Sequence, residues 1–224
     1  MKEIVSHVKG ILFDWDGTIV NSYESMLHST RYAYQKHLDI VFPKDREEFR
    51  QISPMRLSES TALYAGTYAA EVAESYLWYY AHEGYKLNNI YAGMRKTLEE
   101  LRQRGYALGI VTNTSRKRIR VDIDYLGTEG IVDIIVTSDD TSERKPHPAP
   151  LLKGAEKLLL AAHELAYVGD YQGDIQAAQA AGMVAVAGLW GEIFLPETVL
   201  AQRPDYAAHR PEDLLEIFEV AGVD

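Results

Sequence analysis

The chain has 224 residues, of which 46% are hydrophobic and 25% charged, and its formal net charge is −10. These values are ordinary for a globular protein and exclude a disordered, collagen-like or coiled-coil chain. The acidic balance argues against nucleic-acid binding by counterion release. The absence of cysteine excludes a disulfide scaffold, thiolate zinc, iron–sulfur clusters and thiol catalysis.

No apolar stretch approaches the roughly 18 residues that a membrane-spanning helix needs. The first ten residues are interrupted by charged side chains and lack the apolar stretch of a signal peptide. We therefore expect a soluble, cytoplasmic protein that has neither a membrane nor a nucleic acid as its partner.

Short apolar segments that alternate with helical patterns predict an α/β protein with a doubly wound parallel sheet. Continuous apolar runs are typical of strands buried on both faces, and alternation with helices implies right-handed crossovers. The predicted strands are Val8–Asp14, Tyr106–Thr112, Ile131–Thr137, Leu165–Gly169, Met183–Ala187 and a short piece at Asp205–Ala207. The predicted helices between and after them are Met94–Arg104, Ser115–Leu126, Pro148–Ala162, Ile175–Ala181 and Pro211–Val220.

Residues 21–91 interrupt this alternation and are far longer than a connection within a β–α unit. They show no strand pattern, and they hold ten of the fifteen tyrosines. We therefore predict a Rossmann-like core over residues 1–20 and 92–224 and a helical insertion over residues 21–91, whose tyrosine-rich surface is a candidate homodimer contact. The helices predicted in the insertion are Ser22–Leu38, Asp45–Ile52 and Thr67–His82.

Two predicted strands end in paired carboxylates. Asp14 and Asp16 follow the first strand, and Asp170 and Asp174 follow the strand that ends at Gly169. Open α/β sheets bind ligands at the carboxyl ends of their strands, and oxygen ligands without His or Cys suit Mg²⁺. The structural alternatives are a plain turn after Asp16 and an acid that favours the helix start at Asp174.

Candidate phosphate ligands stand at the end of the second predicted strand and after the Asp139-Asp140 loop that follows the third. Thr112 and Asn113 open onto a helix, so that a hydroxyl and backbone N–H groups could bind an anion or could simply cap the helix. Lys145 stands before Pro146, which stiffens the segment. Taken alone, each of these features favours the structural alternative, a helix cap or a solvated lysine.

In order, the motifs Asp14-Trp15-Asp16-Gly17-Thr18, Thr112, Lys145 and Gly169-Asp170 with Asp174 resemble those of the haloacid dehalogenase superfamily. The segments 13–22 and 145–148 are similar to phosphoglycolate-phosphatase-like members, in which a helical cap stands where the insertion lies. The resemblance covers about residues 6–20 and 92–220. It implies a Mg²⁺-dependent phosphatase that hydrolyses a small phosphorylated metabolite, a phosphomonoester, through an aspartyl-phosphate.

The resemblance also implies residue roles. Asp14 would be the nucleophile, and Asp16 would act as acid and then as base. Phosphoryl oxygens would contact Thr112, the backbone of Asn113 and Lys145. Mg²⁺ would contact the side chains of Asp14 and Asp170 and the backbone carbonyl of Asp16, with Asp174 supporting the metal or its waters.

Other interpretations stay open. A sugar phosphomutase or a phosphonate hydrolase of the same superfamily, or a non-catalytic metal-binding regulatory module, shares most of these residues. Trp15 is bulkier than the usual family residue and is expected to pack beneath the cap, whereas Tyr171 either lines the pocket or covers the metal loop. The basic run 116–120 is expected to form a solvated helix face, with a contact to a distal acidic group of the substrate as the second interpretation.

Overall fold

A computed structural model describes residues 5–191 and 193–219. The described chain divides into two compact units, one with the residues up to Asn21 and from Ile90 onward, the other with Ser22–Asn89. The strands are β1 (Gly10–Phe13), β2 (Val20–Asn21), β3 (Asn89–Ile90), β4 (Ala107–Val111), β5 (Ile134–Val136), β6 (Leu165–Gly169), β7 (Val184–Gly188) and β8 (Tyr206–Ala208). The α-helices are α1 (Tyr23–Leu38), α2 (Arg46–Ile52), α3 (Leu57–Ala65), α4 (Ala69–His82), α5 (Met94–Gln103), α6 (Arg116–Leu126), α7 (Ala149–Leu158), α8 (Gln172–Ala181), α9 (Pro196–Leu200) and α10 (Leu214–Ile217).

Six strands form one parallel sheet in the order β5-β4-β1-β6-β7-β8. Because side chains alternate along a strand, β1 buries Ile11 and Phe13 with α5, α6 and α10 on one face of the sheet. It buries Leu12 with α7 and α8 on the other face. The predicted doubly wound α/β sheet is therefore confirmed, with helices on both sides.

Several predicted boundaries in this unit are wrong. Helix α7 ends at Leu158 and not at Ala162, because Leu159 takes a left-handed conformation with φ 57°. Helix α8 begins three residues before the predicted Ile175. The predicted helix Pro211–Val220 is a 3₁₀ turn at Pro211–Asp213 followed by the single turn α10, and Val220 lies outside the described residues.

The unit Ser22–Asn89 contains α1 to α4 and has its own small core, formed by Ala33, Tyr34, Ala65 and Val72. Helix α3 was not predicted, because its sequence lacks a strong apolar stripe. The expectation of no strand between residues 21 and 91 is also wrong, since β2 and β3 pair with each other as a two-stranded sheet. Strands of two residues are too short to produce a periodic pattern.

Among the described residues, the helices are all too short or too polar to cross a bilayer.

Candidate active site

The carboxylates predicted from two separate motifs meet at one edge of the sheet. Asp14 follows β1 directly, and Asp170 follows the adjacent, parallel β6. Asp174 lies in the first turn of α8. Side-chain oxygens of these three buried residues lie within 4.8 Å of one another.

Lys145 lies at the centre of this cluster. Its Nζ is 2.8 Å from Asp14 Oδ1 and 2.7 Å from Asp174 Oδ1, and it donates a hydrogen bond of 2.6 Å to the hydroxyl of Tyr167. That hydroxyl in turn donates to the carbonyl of Val111, at 2.7 Å. Two ion pairs and one hydrogen bond therefore surround the ammonium of a lysine side chain that is only 2% exposed.

The charges in the cluster do not balance. Burial, opposed by Lys145 and reinforced by the charge of Asp174, raises the pKa of Asp14 to about 7. Burial, Asp174 and Asp14 likewise raise the pKa of Asp170 well above its usual value. For Lys145, burial lowers the pKa, but the two neighbouring carboxylates outweigh this effect and raise it. One ammonium thus faces three carboxylates.

The surroundings of Asp170 fit a bound cation. Its Oδ1 accepts a hydrogen bond of 3.0 Å from Thr18, whereas its buried Oδ2 has no hydrogen-bond donor among the described residues. A Cβ atom on Gly17 would lie 2.1 Å from that Oδ2, and Gly17 also has φ +82°, so only glycine is accommodated there. Carboxylate oxygens only accept hydrogen bonds, and the buried Asp170 Oδ2 has no donor within the described part of the chain. Such an oxygen is the kind of ligand that Mg²⁺ prefers.

Asp16 lies apart from this triad. Arg118 reaches it with both guanidinium ends: Nη1 is 3.0 Å from Oδ2, and Nη2 pairs with Oδ1. The hydroxyl of Thr114 donates to the same Oδ2, at 2.6 Å. The Asp16 carboxylate is therefore engaged by α6, and the metal contact implied by the family resemblance concerns its backbone carbonyl alone.

Of the predicted phosphate ligands, Thr112 and Asn113 follow β4, and Lys145 lies in the segment between β5 and α7. Thr112 is buried after β4, and its Oγ1 accepts from the N–H of Thr114 at 3.1 Å. The Asn113 amide contacts Lys145 with both ends, since Nδ2 donates to the Lys145 carbonyl and Oδ1 accepts from its N–H, each at 3.1 Å. The first N–H of α6, at Arg116, donates to Asp139 at 2.8 Å. Part of the predicted N-terminal anion site is thus occupied by side chains of the chain itself.

Two bulky residues that depart from the family pattern are packed. Trp15 is fully buried in the core of its own unit, and its Nε1 donates to Asp122 at 3.1 Å. The ring packs among residues of the sheet and its helices, as the packing interpretation expected, whereas its position beneath the insertion stays a prediction. The ring of Tyr171 lies against Phe194, with 4.6 Å between the centroids, and its backbone N–H donates to Asp174.

Sequence reasoning missed three residues of this site, namely Tyr167, Arg118 and Asp122. The basic run 116–120 is a solvated face only in part: Arg116 and Arg120 are exposed, whereas the Arg118 side chain is 12% exposed. The four-residue spacing of Arg118 and Asp122, which places them on one side of a helix, was a usable signal. Nothing in the strand pattern of β6 indicated that the Tyr167 hydroxyl contacts a lysine.

Comparisons with known proteins agree with this fold. The sequence pattern of the haloacid dehalogenase-like hydrolases matches residues 11–187. A pyrophosphatase PpaX from Bacillus mycoides strain KBAB4 is 30% identical over 94% of this chain and 96% of its own length. A phosphoglycolate phosphatase from Xanthomonas campestris pv. campestris strain 8004 is 32% identical over 93% and 95%.

A solved structure is also similar to this chain along almost its whole length. A predicted phosphoglycolate phosphatase from Haemophilus somnus 129PT has a TM-score of 0.84 and 26% identity, and the match covers 95% of this chain and 99% of that one. The chain belongs to the haloacid dehalogenase-like hydrolase family. The predicted enzyme class, a hydrolase of the phosphatase type, is confirmed at that level.

Proposed function

We propose that this enzyme hydrolyses a small phosphomonoester through a phosphate ester of Asp14. One observation carries the proposal: Asp14, Asp170 and Asp174, from two motifs far apart in the chain, converge around Lys145 at the carboxyl end of β1. A fold-stabilising ion pair needs one acid for one lysine, whereas three buried acids around one lysine form a costly group that suits a ligand-binding role.

In the first half-reaction, an oxygen of Asp14 bonds to the substrate phosphorus. The bond from phosphorus to the leaving oxygen breaks, and that oxygen takes its electron pair and a proton from Asp16. The Lys145 ammonium, which pairs with Asp14, and the hydroxyl of Thr112, directly after β4, are assigned to the phosphoryl oxygens.

In the second half-reaction, Asp16 takes a proton from water as the water oxygen bonds to phosphorus. The bond between phosphorus and Asp14 breaks, its electrons return to the carboxylate, and inorganic phosphate leaves. The first step needs Asp14 in its ionised form, which its burial beside Asp174 disfavours. The second step returns Asp14 to that form.

Asp14 and Asp170, with Asp174 in support, are the residues that would hold Mg²⁺. When bound, the ion would supply positive charge that offsets the repulsion between the carboxylates and an anionic substrate. We also include in this proposal the contact between Mg²⁺ and the backbone carbonyl of Asp16 that the family resemblance implies.

The relatives' names support two substrates. Phosphoglycolate is the phosphomonoester that the Xanthomonas relative's name carries, and pyrophosphate is the substrate implied by the name of the Bacillus relative. We assign the choice between them to the helical unit Ser22–Asn89, which we propose is the cap. A cytoplasmic location and a homodimer remain predictions from the sequence.

The test is phosphate release by the purified chain with Mg²⁺ over a panel that includes 2-phosphoglycolate, pyrophosphate, sugar phosphates and a phosphonate. Asp14→Asn should lower kcat/KM to below roughly a thousandth of the parent value, since the nucleophile is lost. The matched control is Asp124→Asn, an exposed residue paired with Arg120.

Several results would contradict the proposal. If the Asp14→Asn enzyme is as active as the parent, Asp14 is not the nucleophile. Sugar-phosphate isomerisation without phosphate release identifies a mutase, and borohydride trapping of a phosphonate substrate identifies a phosphonate hydrolase. Metal binding without turnover over the whole panel identifies a regulatory module.

A further inference from the structure

One side of α6 contacts two consecutive residues of the loop that follows β1. Arg118 pairs with Asp16, and Asp122, one helical turn later, accepts the indole N–H of Trp15. The Asp122 side chain and the Trp15 ring are fully buried. Helix α6 therefore holds the segment directly after the proposed nucleophile Asp14 at two adjacent points.

Thr114 completes the arrangement around Asp16. Its hydroxyl accepts from Arg118 Nη1 at 2.8 Å and donates to Asp16 Oδ2 at 2.6 Å, while the same Nη1 donates to Oδ2 at 3.0 Å. The three side chains form a closed ring of hydrogen bonds. A planar guanidinium that contacts both oxygens of a carboxylate fixes its orientation more strongly than a single donor does.

Arg118 differs from the other arginines of its own helix. Arg116 and Arg120 have side chains 54% and 64% exposed and pair with surface acids, an arrangement of little energetic value. The Arg118 and Asp16 side chains are 12% and 15% exposed, so both have lost most of their hydration. A guanidinium can be buried at this position only because Asp16 is its partner, since an unpaired buried charge would cost several kcal/mol.

We propose that Arg118 is a positioning residue that orients the Asp16 carboxylate as the proton acceptor of the second half-reaction. Arg118 and Thr114 both donate hydrogen bonds to the Asp16 carboxylate. They therefore favour its ionised form, which is the form that can accept a proton. The step is the one in which Asp16 takes a proton from water, the water oxygen bonds to phosphorus, and the bond from phosphorus to Asp14 breaks. The assignment rests on the proposed function.

The experiment separates the two half-reactions with 4-nitrophenyl phosphate, whose leaving group departs with little help from an acid. In Arg118→Gln, rapid mixing should show a burst of 4-nitrophenolate close to one per active site, followed by slow turnover. We expect kcat to fall roughly 10- to 100-fold, within the contribution typical of acid–base groups, while kcat/KM stays within about threefold. Hydroxylamine should release the accumulated phosphate from Asp14.

Arg118→Lys keeps the charge but offers a point donor in place of the fork, and it should show a smaller fall in kcat. Thr114→Val removes the hydroxyl from the ring of hydrogen bonds and should also lower kcat. Arg120→Gln is the matched control, two residues away on the same helix, and should behave as the parent does. If Arg118→Gln loses its cooperative thermal unfolding, the lysine and valine variants decide the question.

Equal losses in kcat and kcat/KM without a burst would show that Arg118 serves only the fold, and unchanged or faster turnover would also overturn the proposal. Either result, with an active parent and an inactive Asp14→Asn enzyme, leaves the proposed function standing. A parent enzyme that releases no phosphate from any ester overturns the proposed function and this proposal with it.

Discussion

Lys145, in the candidate active site, shows how much one side chain depends on partners from distant parts of the chain. Lys145 contacts Asp14, Asp174 and Tyr167, which come from three different segments. The two acids were predicted as site residues from their motifs. Tyr167 was not, because an aromatic residue in a buried strand has the same sequence pattern whether its hydroxyl has a partner or not.

Tyr167→Phe should lower the free energy of unfolding by about 1–3 kcal/mol. The substitution keeps the ring but removes a buried hydroxyl that accepts from Lys145 and donates to Val111. Leaving such buried groups unpaired carries their desolvation penalty. Urea unfolding of the parent and the variant measures the difference.

The matched control is Tyr68→Phe, at a residue that is 47% exposed. It should change the unfolding free energy by less than about 0.5 kcal/mol. A Tyr167→Phe protein as stable as the parent would show that the hydroxyl contributes nothing to holding Lys145.

At the scale of elements, sequence patterns located most strands and helices but misplaced several ends. Strand β6 was predicted with its exact span, because five consecutive apolar or small residues end at Gly169. The end of α7 was missed, since the helix stops at the left-handed Leu159 and leucine gives no stop signal. Helix α3 was missed because its apolar residues do not form one face.

Helix α2 begins after a residue, Asp45, that caps it, as the local sequence would predict. The side chain of Asp45 accepts from the backbone N–H of Glu48 at 2.9 Å and so caps the helix. Asp45→Ala should destabilise the protein by about 1 kcal/mol, because one N–H of the first turn loses its partner. Thermal or urea unfolding measures the change.

Asp45→Asn provides the control, since asparagine caps helices about as well as aspartate does. It should retain most of the stability that the alanine variant loses. Equal losses in both variants would point to the charge of Asp45, rather than its hydrogen bond, as the stabilising feature.

At the scale of the molecule, strand order brings the site together. Because β1 lies between β4 and β6, the residues that follow these strands, Asp14, Thr112 and Asp170, come from three adjacent strand ends. This arrangement also concentrates part of the −10 charge in one place. The acidic balance therefore does not oppose a small phosphorylated substrate, provided that a cation is bound.

Mg²⁺ at about 100 times its dissociation constant should stabilise the native state by about 2.7 kcal/mol, because only the folded chain presents the three acids together. For a protein of this size that corresponds to a rise in Tm of about 5–10 °C. Differential scanning calorimetry with Mg²⁺ and with EDTA measures the rise without any substrate.

Asp170→Asn should lose most of this Mg²⁺-dependent increment, whatever its Tm in EDTA, whereas Asp124→Asn should keep it. An Asp170→Asn protein with the parent's full increment would exclude Asp170 from the metal site. Activity of the parent should disappear with EDTA and return with added Mg²⁺.

The amino-acid sequence by itself determined the class of fold, the order of the motifs and the membership in the hydrolase family. It did so because buried strands, turns and short motifs leave patterns within a few neighbouring residues. Only the tertiary structure decided which side chains are partners: Arg118 with Asp16, Asp122 with Trp15, and Tyr167 with Lys145. Arg118 and Asp16 are 102 residues apart, and their contact depends on how α6 lies against the end of β1. Local propensity and periodicity carry no information on such a pairing, which is a product of packing.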